Sequence, residues 1–175
     1  EDWNLLLEHV HIGIHAGSLA CVSNHLYYLN NIIEDYDKTI EVGNQYFEEY
    51  PKIASFKLGS AYYEKGDYGK AEYYWKIGVD EGDAYAALEL TFLYSSKEVL
   101  QKLQMTFTES SKYVVKYYGT AMHLATNKDN FFEDYDIHQL KERRPKGVAW
   151  IAAAFRHLEL CNGNPDPGVL AKLRE

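Results

Sequence analysis

The chain has 175 residues, of which 26 are acidic and 18 are basic, so its formal net charge is -8. Hydrophobic residues make up 46% of the chain. That fraction buries enough surface to offset chain entropy, which excludes intrinsic disorder. A net anion repels phosphate, which argues against nucleic acid as the main partner. No stretch approaches the roughly 20 apolar residues of a membrane span, and the length allows one domain or two small ones.

Two short sequence patterns recur at the same distance along the chain. Residues 35–38, Asp-Tyr-Asp-Lys, match residues 67–70, Asp-Tyr-Gly-Lys, at an offset of 32. A second pattern has the same offset and relates Ala54, Leu58 and Tyr62 to Ala86, Leu90 and Tyr94. Two patterns that agree on one offset indicate an internal repeat, and each repeat unit has the apolar spacing of two helices.

The chain begins with apolar residues at helical spacing. A helix over 3–14 is predicted to be the second helix of an N-terminal unit, 1–16. A helix over 16–28 is predicted to open the next unit, which covers 17–51. This unit aligns with the following one only at an offset of 33. At that offset Cys21, His25 and Leu29 correspond to Ala54, Leu58 and Tyr62 of the following unit.

The unit at 52–83 has the clearest pattern. Gly66 is predicted to take a left-handed conformation that ends the first helix of this unit. Asp67 is predicted to cap the second helix, which runs over 68–81, and Asp35 and Asp83 are predicted to cap the helices that follow them. A second Gly-Asp pair, Gly82 and Asp83, is predicted to end the second helix and the unit in the same way. The first helix carries its apolar side at Ala54, Leu58, Ala61 and Tyr62.

The following unit, 84–125, contains an insertion. Its second helix matches 68–81 at an offset of 43 instead of 32, so eleven residues are inserted, in the region of 95–111. Residues 126–175 are predicted to form a degenerate C-terminal unit with a tail. The residues that define the longer offset are Val114, Tyr117, Tyr118 and Ala121, which correspond to Ala71, Tyr74, Trp75 and Gly78.

Residues 52–83 resemble the Sel-one-like repeat, a relative of the tetratricopeptide repeat. Parts of the resemblance extend over 35–51 and 84–94. It implies an all-α fold, namely a right-handed α-solenoid of stacked antiparallel helical hairpins, in a single helical-repeat domain over 1–175. The pattern that carries it is Ala54-x3-Leu58-Gly59-x2-Tyr62-x3-Gly66-Asp67-Tyr68-x-Lys70-Ala71-x3-Trp75-x6-Gly82-Asp83.

The resemblance also implies a function. Solenoids of this kind are usually protein-binding scaffolds without catalytic residues. Small acidic bacterial members include immunity proteins of the periplasm, each of which neutralises a type VI secretion effector such as a lipase or phospholipase. We therefore expect a non-catalytic module whose partner is a cognate toxin effector. The expected location is periplasmic, and the alternative is cytoplasmic.

Two other classes of function remain open. One is a scaffold or adaptor in bacterial signalling or envelope assembly, or a eukaryotic-type adaptor fragment in protein quality control. A scaffold would bind several proteins with lower affinity. The other is a repeat-fold hydrolase of weak activity, for which His157 and Cys161 are the pair to test. The sequence contains neither GxSxG nor a glycine-rich phosphate loop, and its many carboxylates single out no acid–base pair. We therefore expect no enzyme activity and no cofactor.

The histidines and cysteines form no recognised metal motif. His11 and His15 lie four residues apart, but no third ligand completes a zinc site, so we expect no bound metal. Cys21 and Cys161 are far apart in sequence, and both a disulfide between them and two separate thiols remain open. An uncapped solenoid end is expected to allow homo-oligomers.

Tyrosine is frequent, with 16 residues, and several of these lie at repeat positions where the ring packs between helices. Adjacent aromatic residues on a helix do not both face one core. We therefore expect one residue of each neighbouring pair at the surface, in the pairs Tyr27/Tyr28, Tyr62/Tyr63, Tyr73/Tyr74 and Tyr117/Tyr118.

Exposed aromatic residues beside acidic groups are typical of a binding surface. In the family that the sequence resembles, the first helix of each unit lines the concave face. The insertion at 95–111 is a second candidate surface. The acidic turns between helices are expected to form one negative row that attracts a basic partner. The predicted partner-binding residues are Tyr28, Tyr63, Tyr85, Glu89 and Phe92.

Overall fold

The structure is a computed structural model that describes residues 3–125. Every regular element in this range is helical, and no strand occurs in it. Helices that follow one another along the chain pack together, which confirms the all-α fold. The predicted C-terminal unit, 126–175, lies outside the described residues. The helices are α1 (Trp3–His15), α2 (Leu19–Tyr27), α3 (Tyr36–Tyr46), α4 (Pro51–Glu64), α5 (Tyr68–Asp80), α6 (Ala84–Ser95), α7 (Lys97–Lys102) and α8 (Phe107–Leu124).

The chain divides into two compact units between residues 82 and 83. We call residues 1–82 the N-terminal half and residues 83–175 the C-terminal half. The N-terminal half contains α1 to α5, with α3 against α4 and α4 against α5. The C-terminal half contains α6 to α8, with α6 against α8. The grouping of all repeat units into a single domain stays a prediction.

Aspartate side chains begin α3 and α5, as the sequence predicts. Asp35 Oδ1 accepts a hydrogen bond from the Lys38 amide at 2.9 Å, and Asp67 Oδ1 accepts one from the Lys70 amide at 3.1 Å. Gly66 ends α4 with φ at 75°, in the left-handed region where glycine has no Cβ clash. The predicted break between α4 and α5 is therefore confirmed.

A π-helical turn over Tyr28–Ile32 continues α2 without interruption. The 9 residues of α2 and the 5 residues of this turn together equal the 14 residues of α4. The starts of α2 and α3, at 19 and 36, precede the starts of α4 and α5, at 51 and 68, by the same 32 positions. The two hairpins α2–α3 and α4–α5 therefore repeat at an offset of 32.

This offset corrects the sequence alignment of the first hairpin. Val22 and Leu26 are fully buried, as are Ala54 and Leu58 at the equivalent positions of α4. The predicted offset of 33, which gave those positions to residues 21 and 25, is wrong. The reason is that α2 begins 32 positions before α4 and buries Val22 and Leu26 toward the core, while the π turn that follows buries two successive residues, Leu29 and Asn30.

Glycines allow the helices of the N-terminal half to approach closely. A Cβ at Gly43 would lie 2.8 Å from Cδ2 of Leu58, and a Cβ at Gly59 would lie 2.4 Å from Cδ1 of Trp75. The Trp75 side chain is fully buried, and its Nε1–H donates to the Phe56 carbonyl at 3.2 Å. Helix α4 therefore lies between α3 and α5 with close approaches at Gly43 and Gly59, where a larger residue would force a neighbouring side chain to move.

The C-terminal half is built around α6, which is apolar on every side. Ten of its 12 residues are buried, as expected of a helix without a polar face. Asp83 Oδ1 caps it by accepting hydrogen bonds from the Tyr85 amide at 2.9 Å and the Ala86 amide at 3.3 Å. The short helix α7 lies within the predicted insertion, 95–111. Helix α8 begins at Phe107, so the last residues of that range are helical.

Candidate protein-binding surface

Two pairs of stacked tyrosines lie at equivalent positions of two hairpins. The rings of Tyr62 on α4 and Tyr74 on α5 are stacked, with centroids 5.5 Å apart and planes 5° apart. The rings of Tyr94 on α6 and Tyr117 on α8 are stacked in the same way, at 5.7 Å and 9°. The offsets of 32 and 43 relate one pair to the other. These four tyrosines join the two helices of a hairpin, so their role is structural.

The predicted partner-binding tyrosines of the N-terminal half are both half-buried. Tyr63 on α4 contacts two aromatic rings of the neighbouring helix, with centroid distances of 5.2 Å to Tyr68 and 5.7 Å to Trp75. Tyr28 begins the π turn and packs against the core of this half. Each ring is therefore anchored by its own hairpin and leaves part of its surface accessible.

The other three predicted residues, Tyr85, Glu89 and Phe92, lie along one side of α6, at spacings of four and three residues. Tyr85 is exposed at the start of the helix and Glu89 is half-buried. Phe92 is only 2% exposed. Because α6 is buried on nearly all sides, the Phe92 ring belongs to the interior and presents no binding surface.

The expectation for neighbouring tyrosines holds at two pairs. Tyr27 is 49% exposed whereas Tyr28 is half-buried, and Tyr73 is 60% exposed whereas Tyr74 is half-buried. The outward residue of the first pair is therefore Tyr27, one position before the predicted Tyr28. At the pair Tyr62/Tyr63 both residues are half-buried.

The pair on α8 contradicts the expectation, because Tyr117 and Tyr118 are both buried. Tyr117 stacks on Tyr94 of α6. Tyr118 corresponds to the buried Trp75 of the preceding hairpin, so both members of the pair hold repeat positions that face inward.

Two exposed isoleucines were missed by sequence reasoning. Ile32 and Ile33 are 53% and 49% exposed, at the point where the π turn leads to α3. Sequence patterns assigned them no role. The available signal was their position just before Glu34 and the cap residue Asp35, where the chain turns toward α3.

The acidic turns α2–α3 and α4–α5 lie side by side, as an ion pair between Lys65 and Asp37 shows. A lysine also accompanies a carboxylate of the second turn. Lys70 lies 3.4 Å from Asp67 in a second ion pair. These two turns therefore form a common edge, but it is a mixed acidic and basic edge rather than an uninterrupted negative row.

The two halves of the chain differ in charge. Residues 1–82 contain 14 acidic and 6 basic side chains, whereas residues 83–175 contain 12 of each. The whole net charge of -8 thus belongs to the N-terminal half. This asymmetry is readable from the sequence once the boundary is known, and it identifies the half with the stronger electrostatic attraction for positive charge.

A histidine lies where α1, α2 and α3 meet. His25 Nδ1 is 3.0 Å from the Tyr46 hydroxyl, and its ring centroid is 5.3 Å from that of His11. Burial, followed by the nearby charges of His11 and Lys38, lowers the pKa of His25 from its usual value of 6.5. The neutral imidazole is therefore the form that packs between these helices at pH 7.

The remaining sequence expectations are only partly addressed by residues 3–125. Within that range no group of three or more metal-ligating side chains comes together, and no helix is long and apolar enough to cross a membrane. Cys21 is half-buried. Cys161 and His157 lie outside the described residues, so both the disulfide and the hydrolase pair remain untested.

Comparison with known proteins gave no family assignment. No family model, no curated protein and no solved structure matches this chain. The resemblance to the Sel-one-like repeat therefore rests on the sequence pattern of residues 52–83, and its implications for function belong to the proposal that follows.

Proposed function

We propose that this chain is a non-catalytic protein-binding module, built as a right-handed α-solenoid of stacked helical hairpins of the Sel-one-like type. The repeated tyrosine stacks of hairpins α4–α5 and α6–α8 support the repeat architecture. The common 32-residue offset of hairpins α2–α3 and α4–α5 supports it independently. A stacked-hairpin array presents side chains from successive helices on one extended surface, which suits recognition of another protein.

The observation that carries the proposed function is the exposure of large aromatic and aliphatic side chains on well-packed hairpins. Tyr27, Ile32 and Tyr73 are each about half exposed or more. The same helices have a dense core, so these residues are not exposed because packing is poor. Tyrosine is enriched at protein interfaces because its ring supplies apolar area and its hydroxyl a hydrogen bond.

The proposed binding surface lies on the N-terminal half, where the excess negative charge is. Tyr27 joins the sequence-predicted Tyr28 and Tyr63 there, while Tyr85 and Glu89 on α6 contribute a second contact region in the C-terminal half. Phe92 is omitted because it is buried. Acidic and tyrosine-rich surfaces accelerate association with basic proteins and hold them through apolar contacts.

The most specific form of this proposal is an immunity protein of the periplasm, which binds and neutralises one toxin effector. It rests on the resemblance of residues 52–83 to Sel-one-like repeats and on the acidity of the N-terminal half. An immunity protein needs one tight complex, whereas a scaffold or adaptor binds several proteins more weakly.

Affinity capture followed by co-expression tests this function. The wild-type chain is used as bait in cells of the encoding organism, and each captured protein is then expressed with and without the chain. One tightly bound protein whose toxicity the chain suppresses is the expected result. Several weakly bound, non-toxic proteins would favour a scaffold. Hydrolysis of an ester by the purified chain, lost in Cys161→Ser, would favour the enzyme.

Matched substitutions connect the captured partner to the surface. Tyr27→Ala and Tyr73→Ala each remove an exposed ring from the N-terminal half, whereas Phe107→Ala removes an exposed ring from the C-terminal half. We expect the first two to weaken the complex at least about tenfold, as hot-spot tyrosines do, and the third to leave it within about twofold. Equal effects from all three would contradict the proposed surface.

A further inference from the structure

The turn from α2 to α3 has a defined, hydrogen-bonded backbone. The Ile33 amide donates to the Tyr28 carbonyl at 3.0 Å, and the Asp35 amide donates to the Leu29 carbonyl at 3.0 Å. Ile32 and Ile33 are carried by this backbone and are about half exposed. The two isoleucines are therefore presented to solvent by ordered structure rather than by a loose connection.

The π turn widens the helix between Tyr27 and Ile32. In an α-helix, residues five apart point about 140° away from each other. In a π-helical turn the hydrogen bond joins residues five apart, so this angle is smaller and Ile32 turns toward the side of Tyr27. Tyr27, Ile32 and Ile33 are all exposed at this end of the helix, and we call these three residues the tip patch.

Charged groups border the tip patch on two sides. Beyond Ile33 follow the exposed carboxylates of Glu34 and Asp37, and the Asp37 side chain is 84% exposed even though it pairs with Lys65. The N-terminal half as a whole carries the net charge of -8. The negative border therefore lies within an acidic surrounding.

A positive charge, Lys57, borders the tip patch at Tyr27, and this lysine already has contacts within the chain. Lys57 Nζ donates to Asn31 Oδ1 at 3.0 Å and lies 4.9 Å from the centroid of the Tyr27 ring. This ammonium fixes the Tyr27 ring by a cation–π contact. The patch is thus polarised, with a lysine beside Tyr27 and carboxylates beside Ile33, and a docked segment has a preferred direction on it.

We propose that the tip patch docks a cationic amphipathic segment of the partner protein. Apolar side chains of the segment cover Ile32 and Ile33, and its lysine or arginine side chains lie toward Glu34 and Asp37. An acidic segment is repelled by the N-terminal half, and an uncharged one gains no steering from it. This inference rests on the proposed protein-binding function and specifies the chemistry of the partner.

A designed peptide tests the inference without knowledge of the natural partner. The probe is a fluorescein-labelled helical peptide of about 18 residues, or five turns, with leucine on one face and lysine on the other. A second peptide has glutamate in place of lysine. Binding to the full chain is measured by fluorescence anisotropy at about 0.05 M and about 0.3 M salt, which changes the screening of charges.

Two tip variants are compared with two matched controls, each checked for unchanged helix content. The double variant Ile32→Ser with Ile33→Ser has the control Ile12→Ser, which also removes an exposed aliphatic residue from the N-terminal half. The double variant Glu34→Gln with Asp37→Asn has the control Glu48→Gln with Glu81→Gln, which removes the same charge from turns at the other end of the hairpins.

We expect saturable binding of the lysine peptide, weaker at the higher salt, and none of the glutamate peptide. The isoleucine variant should weaken binding about tenfold, from the apolar area that it withdraws, and the charge variant should remove most of the salt dependence. Both controls should stay within about twofold of wild type.

Three outcomes would overturn the inference: equal weakening by tip variants and controls, equal binding of both peptides, or no saturable binding of the lysine peptide up to about 0.1 mM. Binding experiments with the captured partner distinguish failure of this inference from failure of the proposed function. A partner that binds the tip variants as tightly as wild type refutes the tip patch alone. If no partner is captured at all, the proposed function itself fails.

Discussion

Gly59→Ala is the substitution with the most direct structural consequence. Gly59 lies on α4 where the indole of Trp75 on α5 crosses it. A Cβ at this position would be 2.4 Å from Cδ1 and 2.5 Å from Nε1 of the indole. No pair of atoms accepts such distances, so the tryptophan or the helix has to move.

The structure limits how that movement can occur. The Trp75 side chain is fully buried, and its Nε1–H is bonded to the Phe56 carbonyl at 3.2 Å, so a rotated indole loses this hydrogen bond. Overpacking costs about 1–3 kcal/mol and the lost bond about 1 kcal/mol. The higher helix propensity of alanine offsets about 1 kcal/mol of this cost. We expect the free energy of unfolding to fall by about 1–3 kcal/mol.

Urea unfolding followed by circular dichroism measures this loss, and Gly69→Ala is its control. Gly69 lies in the first turn of α5 and is exposed, and the nearest atom to a Cβ placed on it is Asp67 Oδ1 at 4.0 Å. This second alanine should leave stability unchanged or raise it slightly. A further control is Gly59→Ala in a Trp75→Leu background, where the alanine should cost much less because the indole is gone.

The reasoning is refuted if Gly59→Ala and Gly69→Ala have the same effect on the free energy of unfolding. It is also refuted if the cost of Gly59→Ala is undiminished in the Trp75→Leu background, because the penalty would then arise somewhere other than the contact with the indole.

Three further predictions concern a turn, a histidine and a tyrosine stack. Glu34→Gly should raise the free energy of unfolding by up to about 1 kcal/mol, because Glu34 holds φ at 58° where the equivalent turn has Gly66 at 75°; a loss in urea unfolding would contradict this. Because the folded pKa of His25 is lowered from 6.5, its stabilising contribution is complete above pH 6.5 and is lost as pH falls through the folded pKa. His25→Gln should therefore flatten the dependence of stability on pH in that range, and an unchanged slope would disprove the assignment. A double-mutant cycle with Tyr94→Leu and Tyr117→Leu should give a coupling of about 0.5–1.5 kcal/mol, and a coupling near zero would show that the stacking contributes nothing.

Much of the fold follows from local signals in the sequence. The aspartate caps of α3 and α5 and the left-handed Gly66 depend on nearby residues only, and each is where the sequence predicts it. The 43-residue offset also has a direct structural counterpart, since the stack of Tyr94 on Tyr117 repeats the stack of the preceding hairpin. Short-range chemistry and internal repetition are both visible in a single sequence.

The missed features depend on contacts between distant residues or on unusual backbone. The outward residue of the first tyrosine pair is Tyr27 and not Tyr28, with which a π turn begins, and no residue pattern announces such a turn. Phe92 is buried because α6 is covered on nearly all sides, and Tyr118 is buried because it lies beside Tyr117 within the inward face of α8. A periodic pattern gives one inward face, and tertiary packing decides whether a second face is also covered.

The candidate surface was predictable in character but not in position. Tyrosine frequency and acidic charge indicated an aromatic, negative binding surface. The whole net charge and 10 of the 16 tyrosines belong to the N-terminal half. The charge asymmetry between residues 1–82 and 83–175 was present in the sequence, but it became informative only with the boundary between the halves. The exposure of Ile32 needed the structure.

Hydrogen–deuterium exchange of the chain with its captured partner tests the central claim most directly. The claim is that the chain is a binding module whose partner covers the acidic N-terminal half. Backbone amides of residues 27–37 should exchange more slowly in the complex, while those of α7 should be unchanged. Protection confined to the C-terminal half, or unchanged exchange at saturating partner, would contradict the account.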